Sequence, residues 1–335
     1  MSDSPDASIV IVSFNTRDLL RECIGTLYRE ACGVNIETIV VDNASKDGSA
    51  DMVAAEFPAL RLIRSETNLG FAAANNRGFK VARGRYVVLL NSDAFPKTDA
   101  LRLSVEKMDR APQVGLAGAR LIGRDGSWQP SARMFPSILN DFLTLSGLAA
   151  KHPHSQFFGR FDRTWADQMQ PAPVDWVPGA FSIIRRDLLE RIGYFDERFF
   201  LYYEEVDLCR RIKAAGYQIW YWPDVVVVHL GGESSKTVKR LSMSSSGSQL
   251  TLWRMRAAFL YYRKHHGFAG AFCAMNSEAQ WHRLRAFLAR RRHDPDSLAK
   301  AEESQILVAA AGQAWQTPMA ASPARPNPGS PQSAD

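Results

Sequence analysis

Tyr86-Val87-Val88-Leu89-Leu90-Asn91-Ser92-Asp93 is the stretch on which the reading of this chain turns. Its first five residues are apolar throughout, as in a strand covered on both faces, the usual state of strands in a parallel sheet. The run then stops at three short polar side chains. The same pattern repeats toward the N-terminus. Asn68-Leu69-Gly70 opens an Ala-rich helix that Gly84 closes, and residues 60–64 form an apolar run before it. Ser45-Lys46-Asp47-Gly48-Ser49 is turn and cap chemistry leading into a helix toward Phe57. Residues 37–41 form another strand, which ends in Asp42-Asn43. Residues 8–12 form the first strand, followed by Ser13-Phe14-Asn15 and helical spacing from Thr16 to Arg29. Strand and helix alternating at this interval predict parallel βαβ units with right-handed crossovers.

In such sheets ligands bind beyond the carboxyl ends of the strands. Those ends carry Ser13, Asn15, Asp42, Asn68, Asn91 and Asp93, short hydrogen-bonding side chains on a single rim, which points to a nucleotide site. No G-x-G-x-x-G follows the first strand and no G-x-x-x-x-G-K-[ST] occurs, so neither usual phosphate-cradling loop is present. A diphosphate would then be neutralised by a divalent cation on a strand-end carboxylate, and Asp93 is placed for that role.

The chain has 335 residues, 46% of them hydrophobic and 23% charged, which fits a globular protein with room for a large core. Its four cysteines (Cys23, Cys32, Cys209, Cys273) show neither C-x-x-C nor zinc spacing, as expected of reduced thiols in a cytoplasmic protein. No apolar run approaches the roughly 20 residues that span a bilayer, and the N-terminus lacks a basic signal-peptide region. The net charge of +6 is concentrated: residues 236–293 hold twelve Lys or Arg against the single acid Glu278. Leu252, Met255, Phe259 and Tyr262, then Trp281, Leu284, Phe287 and Leu288, recur in that segment at helical intervals, which predicts basic amphipathic helices lying on an anionic membrane surface. No nucleic-acid motif accompanies the charge, so nucleic acid is not an expected partner. Past Gly312 the Pro- and Ser-rich sequence predicts a disordered tail over 312–335.

Taken together, Ser8-Ile-Val-Ile-Val-Ser-Phe-Asn15, Val41-Asp-Asn-Ala-Ser-Lys-Asp-Gly-Ser49, Asn68-Leu-Gly-Phe71 and Leu90-Asn-Ser-Asp93 resemble the motifs of family-2 glycosyltransferases, in the family's order. Phe195-Asp-Glu-Arg-Phe-Phe-Leu-Tyr-Tyr-Glu-Glu-Val-Asp-Leu-Cys-Arg-Arg211 resembles its bacterial rhamnosyltransferase-like branch. The resemblance covers about residues 8–235. It implies an α/β fold of GT-A type, with a mostly parallel central sheet flanked by helices, followed here by a C-terminal helical extension. The expected divisions are a transferase domain over 1–235 (nucleotide part about 8–120, acceptor and catalytic part about 121–235), a basic extension over 236–311, and the tail.

The resemblance also implies roles. Asp42 would bind a uracil or thymine ring, with Ser13 and Asn15 near base and ribose and Asn68 and Gly70 along ribose and diphosphate. Asn91-Ser92-Asp93 occupies the family's D-x-D position with Asn as its first member, so Asp93 would be the metal ligand and Asn91 a donor contact. Trp176 would offer a platform to an acceptor sugar, and Gly179 would let the backbone approach the donor. The family's Glu-Asp pair is Glu204-Glu205 here, which makes Glu205 the expected base and Glu204 the second choice. His229, after a strand over 225–228, would supply an imidazole to the same metal, Mg²⁺ or Mn²⁺. The implied reaction is inverting transfer, with dTDP-L-rhamnose the favoured donor and a cell-surface glycan or lipid-linked hydroxyl the acceptor, on the cytoplasmic face of a membrane. Transfer of galactofuranose or a hexose from a UDP donor, and a catalytically silent sugar-nucleotide or glycan-binding module, stay open as alternatives.

Overall fold

Alternate residues of the first strands face opposite ways and fill two separate cores. In the computed structural model, which describes residues 4–31, 33–231, 245–292 and 294–316, the chain opens with β1 (Ala7–Ser13), α1 (Arg17–Glu30), β2 (Ile36–Asp42), α2 (Ser49–Glu56), β3 (Arg61–Arg64), α3 (Phe71–Phe79) and β4 (Tyr86–Asn91). Ile9, Ile11, Val40, Val88 and Leu90 pack on one side with Leu20, Ile24 and Leu27 of α1. Val10, Ile39, Val41, Val87 and Leu89 pack on the other side with Ala72, Ala74 and Phe79 of α3. A two-residue period thus serves both layers, and neither face reaches solvent.

The second half comprises β5 (Ala94–Pro96), α4 (Ala100–Arg110), β6 (Val114–Ile122), β7 (Trp128–Gln129), α5 (Ile138–Leu145), α6 (Leu148–Lys151), β8 (Ala172–Val174), β9 (Phe181–Arg185), α7 (Arg186–Ile192), α8 (Glu204–Ala214) and β10 (Gln218–His229). The sheet order is β3-β2-β1-β4-β9-β6-β10-β5. Pairing is parallel from β3 through β4 and between β6 and β10. It is antiparallel where β9 lies between β4 and β6, and where β5, β7 and β8 pair at the margins. The sheet is therefore more mixed than the expected mostly parallel one. The reason is β9, which enters the sheet from a loop instead of a crossover helix.

Several boundaries move. The helix expected to run to Gly84 ends at Phe79, and Gly84 instead lets the chain pass β1, where an added Cβ would lie 2.5 Å from the Ser8 nitrogen. The two strands expected over 218–222 and 225–228 are one, β10, irregular between Trp222 and Val226. At the C-terminus, α9 (Ser245–Arg290) bends at Gly267 and is followed by α10 (Pro295–Gln316). Helix therefore persists through 312–316, where a tail was expected, because Trp315 packs edge-on against Phe259, Phe268 and Phe272. The rest of the expected tail, the cations Lys236, Lys239 and Arg240, and Cys32 lie outside the described residues. Cys23 and Cys209 are buried thiols and Cys273 is exposed, all unpaired.

The first limb of α9 is fastened to the body. Met255, Phe259, Tyr261 and Tyr262 are buried in the same core as α3 and α8, with Leu252 packed against it. Lys264 and His265 reach Asp207 of α8 at 2.7 and 2.8 Å, and Arg211 holds its other oxygen at 2.9 Å. Burial would push Asp207 up, but these bonds outweigh it and hold the carboxyl below its ordinary range. The i,i+4 pairing of Asp207 with Arg211 was legible in sequence; the partners from α9 were not.

Candidate functional site

The carboxyl ends of β1, β2 and β4 meet at a rim whose polar groups divide into those already satisfied and those left open. Ser13 is fully buried, 3.1 Å from Thr16 Oγ1, and Thr16 in turn donates to Ser92 Oγ at 2.9 Å. With its proton given to Ser92, Thr16 must accept from Ser13, so Ser13 ties β1 to the segment after β4 and does not face a base. Asn15, in the left-handed region (φ 54°), accepts the Lys46 N–H at 2.7 Å and gives its own N–H to Ser45 Oγ at 3.0 Å. Asn68 Oδ1 accepts from Asn43 Nδ2 at 3.0 Å and from the Gly70 N–H at 2.9 Å, while Asn43 Oδ1 takes the Leu69 N–H at 2.8 Å. These side chains build the rim. Thr16 and Asn43 were missed in the sequence, where nothing separates them from ordinary loop and cap residues.

Gly70 is also structural. At φ 82° and ψ 174° it adopts a conformation nearly confined to glycine, and an added Cβ would lie 2.4 Å from the Phe200 carbonyl oxygen. It docks the start of α3 on the loop that leads to α8; Phe71 N–H donates to that same Phe200 carbonyl at 2.7 Å.

Asp42 differs. Its Oδ2 accepts the Ser45 N–H at 3.1 Å, but Oδ1 is buried with no partner. A buried carboxylate oxygen without a donor is costly unless a ligand supplies one.

At the end of β4, Asn91 is half-buried, its N–H given to the Ala180 carbonyl at 3.0 Å. Asp93 is buried. The antiparallel pairing of β5 with β10 sets His229 opposite Ala94, which brings His229 Nε2 to 3.5 Å from Asp93 Oδ1. The ring's other nitrogen lies 2.9 Å from Gln129 Oε1. The chemistry of the pair, a hard carboxylate facing an imidazole nitrogen, fits a divalent cation. No group of three or more His, Cys, Asp or Glu suited to a metal occurs among the described residues. Two protein ligands suit a cation that takes its remaining positions from substrate phosphates and water.

The acid pair sits behind a strained turn. Tyr202 and Tyr203 both have positive φ (75° and 69°), a conformation that costs about 1–3 kcal/mol per non-glycine residue and needs surrounding packing to persist. Tyr203 meets Tyr261 of α9 in a tilted contact at 5.5 Å, and Trp253 meets Phe200 likewise at 4.5 Å, so the extension supplies that packing. The turn delivers Glu204 and Glu205 to the first turn of α8, side by side, each with its Oε2 buried and unpartnered. Burial, then the neighbouring Glu205 charge, raise Glu204 well above the ordinary carboxyl range. Burial also raises Glu205, but its own backbone N–H, Arg133, Glu204 and the Gly179 N–H limit the rise. Both carboxyls are thus held above the ordinary range, and the cationic and N–H groups that oppose the rise gather on Glu205.

Gly179 connects the two ends of the site. Its N–H serves Glu205, while the next residue, Ala180, accepts from Asn91. Glu205 and the Asn91–Asp93 segment therefore flank one stretch of backbone at the end of β4. Gly179 is small because it passes between Leu89 and Phe71, 3.3 and 3.5 Å from where a Cβ would sit. Trp176 is a correction: it is buried, donates its indole N–H to the Met134 carbonyl at 2.8 Å, and carries the Arg133 guanidinium over its ring at 4.9 Å. It supports Arg133 and is no exposed platform. Arg133, missed in the sequence among many arginines, pairs with Asp162 at 3.0 Å, and its charge helps limit the rise at Glu205.

A family model described as "Glycosyl transferase family 2" matches residues 8–193, a stretch that contains Asp42 and Asp93 and stops short of Glu205 and His229. Among curated relatives, the N-acetylglucosaminyl-diphospho-decaprenol L-rhamnosyltransferase of Mycobacterium tuberculosis is 28% identical over 209 residues, 58% of this chain and 66% of that one. The chain thus matches just under two thirds of that relative's length. Rhamnosyltransferase WbbL of Escherichia coli K12 is 25% identical over 266 residues, 76% of this chain and 91% of that one. Among solved structures, the mannosyltransferase PcManGT from Pyrobaculum calidifontis, in complex with GDP-Man and Mn²⁺, superposes with a TM-score of 0.53 at 19% identity, covering 94% of this chain and 88% of that one. That likeness is one of fold, and the fold is of the GT-A type.

Proposed function

Because the chain belongs to glycosyl transferase family 2, we propose that it is an inverting glycosyltransferase that carries out a single in-line displacement at the rim described above. Glu205 accepts the proton of an acceptor hydroxyl as that oxygen bonds to the anomeric carbon. The bond from that carbon to the diphosphate oxygen breaks on the opposite face, and its electron pair leaves with the nucleoside diphosphate. The observation that carries this reading is the buried, partly unpartnered Glu205 carboxylate, linked through Gly179 and Ala180 to the strand end that bears Asp93. Asp42 Oδ1 would take the N3–H of a pyrimidine ring, the donor it lacks among the described residues. Asp93 and His229 would hold Mg²⁺ or Mn²⁺, which when bound offsets the charge of the departing diphosphate. Asn91 would touch the donor sugar or its diphosphate.

The names of the two relatives favour rhamnose as the sugar, and the first favours a lipid-linked acceptor; dTDP-L-rhamnose is the donor we propose. The test is a panel of dTDP- and UDP-sugars, each supplied with Mn²⁺ and an N-acetylglucosaminyl-diphospho-lipid, with products read by mass spectrometry. A product gaining one deoxyhexose from dTDP-rhamnose is expected. Transfer from UDP-sugars alone would replace rhamnose by a hexose or galactofuranose, and nucleotide binding with neither transfer nor donor hydrolysis would mark a silent module.

A lipid-linked acceptor calls for a membrane-facing surface, and we propose the second limb of α9 for that role. Expected contact through Met255, Phe259 and Tyr262 is ruled out by their burial in the core. After Gly267 the arrangement inverts. Small residues (Ala271, Ala274, Ala286, Ala289) turn inward, while Phe268, Phe272, Leu284, Phe287 and Leu288 are all about half exposed. At 100° per residue, Leu284, Phe287 and Leu288 share one outward face, with Arg283, Arg290, Arg291 and Arg292 exposed around it. Phe142 meets Trp281 edge-on at 5.7 Å and extends the patch to the exposed Ile138 and Leu139 of α5. Among the described residues no helix is long and apolar enough to cross a membrane. We place the protein peripherally, on the cytoplasmic face. Vesicles containing phosphatidylglycerol should sediment it at low salt and release it near 1 M salt, where the screening length falls to about 3 Å. Replacing Leu284, Phe287 and Leu288 by Glu should abolish binding. Equal recovery in the supernatant with anionic and with phosphatidylcholine vesicles would exclude the surface.

A further inference from the structure

Gln129 lies a hundred residues from His229 in sequence and forms both of the bonds that fix that ring. Its Nε2 donates to the His229 main-chain carbonyl at 2.7 Å, and its Oε1 lies 2.9 Å from His229 Nδ1. The first contact decides the second. A carbonyl oxygen needs a donor, so the amide cannot be turned round without setting two oxygens against each other. Oε1 therefore faces Nδ1 and, having no proton of its own, must accept one from it. A neutral His229 is thereby locked with its proton on Nδ1 and its lone pair on Nε2, directed at the Asp93 carboxylate 3.5 Å away. Two acceptors opposed at that separation repel each other, and a shared cation relieves the repulsion. In the other tautomer Nε2–H would simply bond to Asp93 and close the site.

From this we propose that Gln129 is a positioning residue for the cation site: it selects the His229 tautomer that can ligate a divalent metal. The proposal rests on the reading of Asp93 and His229 as metal ligands. The topology explains why such a device is available here. Gln129 belongs to β7, a two-residue strand held to β6 by the hairpin at Asp125-Gly126, and β6 runs alongside β10, which ends in His229. The short hairpin has no other evident reason to carry an amide side chain to that strand end. Gly231, at φ 68°, turns the chain just past His229, and an added Cβ there would lie 3.9 Å from Gln129 Nε2, so the backbone folds closely around the contact.

The test measures binding of Mn²⁺ alone to the full-length protein by electron paramagnetic resonance, together with the ¹⁵N signals of the histidine side chains in selectively labelled protein before metal is added. Gln129→Leu keeps the bulk but accepts no proton. It should weaken Mn²⁺ binding about 10–100-fold, the usual loss when the partner of a ligating histidine is removed, and turn the His229 signal from the Nδ1–H tautomer into a mixture. Gln129→Glu keeps an acceptor for Nδ1–H but sets its second oxygen against the His229 carbonyl, so it should keep a pure Nδ1–H signal and bind Mn²⁺ more weakly than the wild type yet more tightly than Gln129→Leu. If Gln129→Leu binds Mn²⁺ like the wild type while His229→Ala does not, Gln129 has no such role, although the metal site stands. If Gln129→Glu shows a pure Nδ1–H signal and still binds Mn²⁺ no better than Gln129→Leu, the tautomer does not govern affinity and the proposal is overturned. If His229→Ala itself leaves Mn²⁺ binding unchanged, the assignment of His229 as a ligand fails, and the proposal with it.

Discussion

Glu205→Gln should lower turnover by about 10²–10⁴-fold, the range that one general base contributes, while leaving donor affinity within a few-fold of the wild type. The amide keeps the shape and can still accept the Gly179 N–H, but it cannot hold the hydroxyl proton. Glu204→Gln is the informative companion. With Glu205 as the base, Glu204 acts on it only as a neighbour, and the isosteric amide, which keeps the shape of the pair and adds no charge to a site where burial already disfavours it, should lower activity by less than about tenfold. Equal losses from the two changes would mean that the pair acts as a unit and that the assignment of the base to Glu205 is wrong. The pH profile gives a second reading. Burial places the Glu205 pKa above the ordinary 4.5, and only its unprotonated form can act. Therefore kcat/KM should decline, as pH falls, through an acid limb that lies higher than that of an exposed glutamate. Glu205→Gln should remove the limb along with the activity.

Asp93→Asn should be nearly as damaging. The segment Asn91-Ser92-Asp93 carries a single carboxylate, because its first position is already an amide. The substitution therefore takes the local charge from one to none, instead of from two to one. A cation that stabilises a leaving diphosphate is worth several kcal/mol, and each 1.36 kcal/mol is a factor of ten in rate. The expected loss is roughly 10²–10³-fold, with the response to added Mn²⁺ or Mg²⁺ flattened and the KM for donor raised. The main chain of Asp93 is anchored independently of its carboxylate, its carbonyl accepting the N–H of Leu230, just past β10, at 3.1 Å. Titrating turnover against metal in both proteins, with melting curves as a control, decides the matter. A variant that keeps full, metal-dependent turnover would show that the diphosphate is neutralised by other residues.

Three of the residues proposed as ligand-facing share a feature invisible in the sequence. Among the described residues, Asp42 Oδ1, Glu204 Oε2 and Glu205 Oε2 are buried with no hydrogen-bond partner, whereas Ser13, Asn15 and Asn68 are consumed in holding the rim. Residue type and strand-end position alone put Asp42 in one class with Ser13, Asn15 and Asn68. Hydrogen-bond satisfaction separates them, and it depends on neighbours up to 76 positions away, as between Thr16 and Ser92.

The order of strands and helices over the first ninety residues followed from the sequence unaided. Periodicity, turn residues and the polar stops after apolar runs are local properties, and each strand met its neighbours through short crossovers. Asp93 could also be singled out from its own surroundings in the chain, and Glu205 and His229 from the family resemblance. Tertiary structure alone decided what was brought to them. The antiparallel entry of β9 set Gly179 between Glu205 and Asn91, and the β7 hairpin carried Gln129 to His229. The two halves of the basic extension read alike as amphipathic helix, yet one is buried to the last tyrosine and the other turns its phenylalanines and leucines outward. An amphipathic pattern records that a helix has two unlike faces. Which face meets the core depends on the surface that the rest of the chain presents, and no local window of sequence contains that surface.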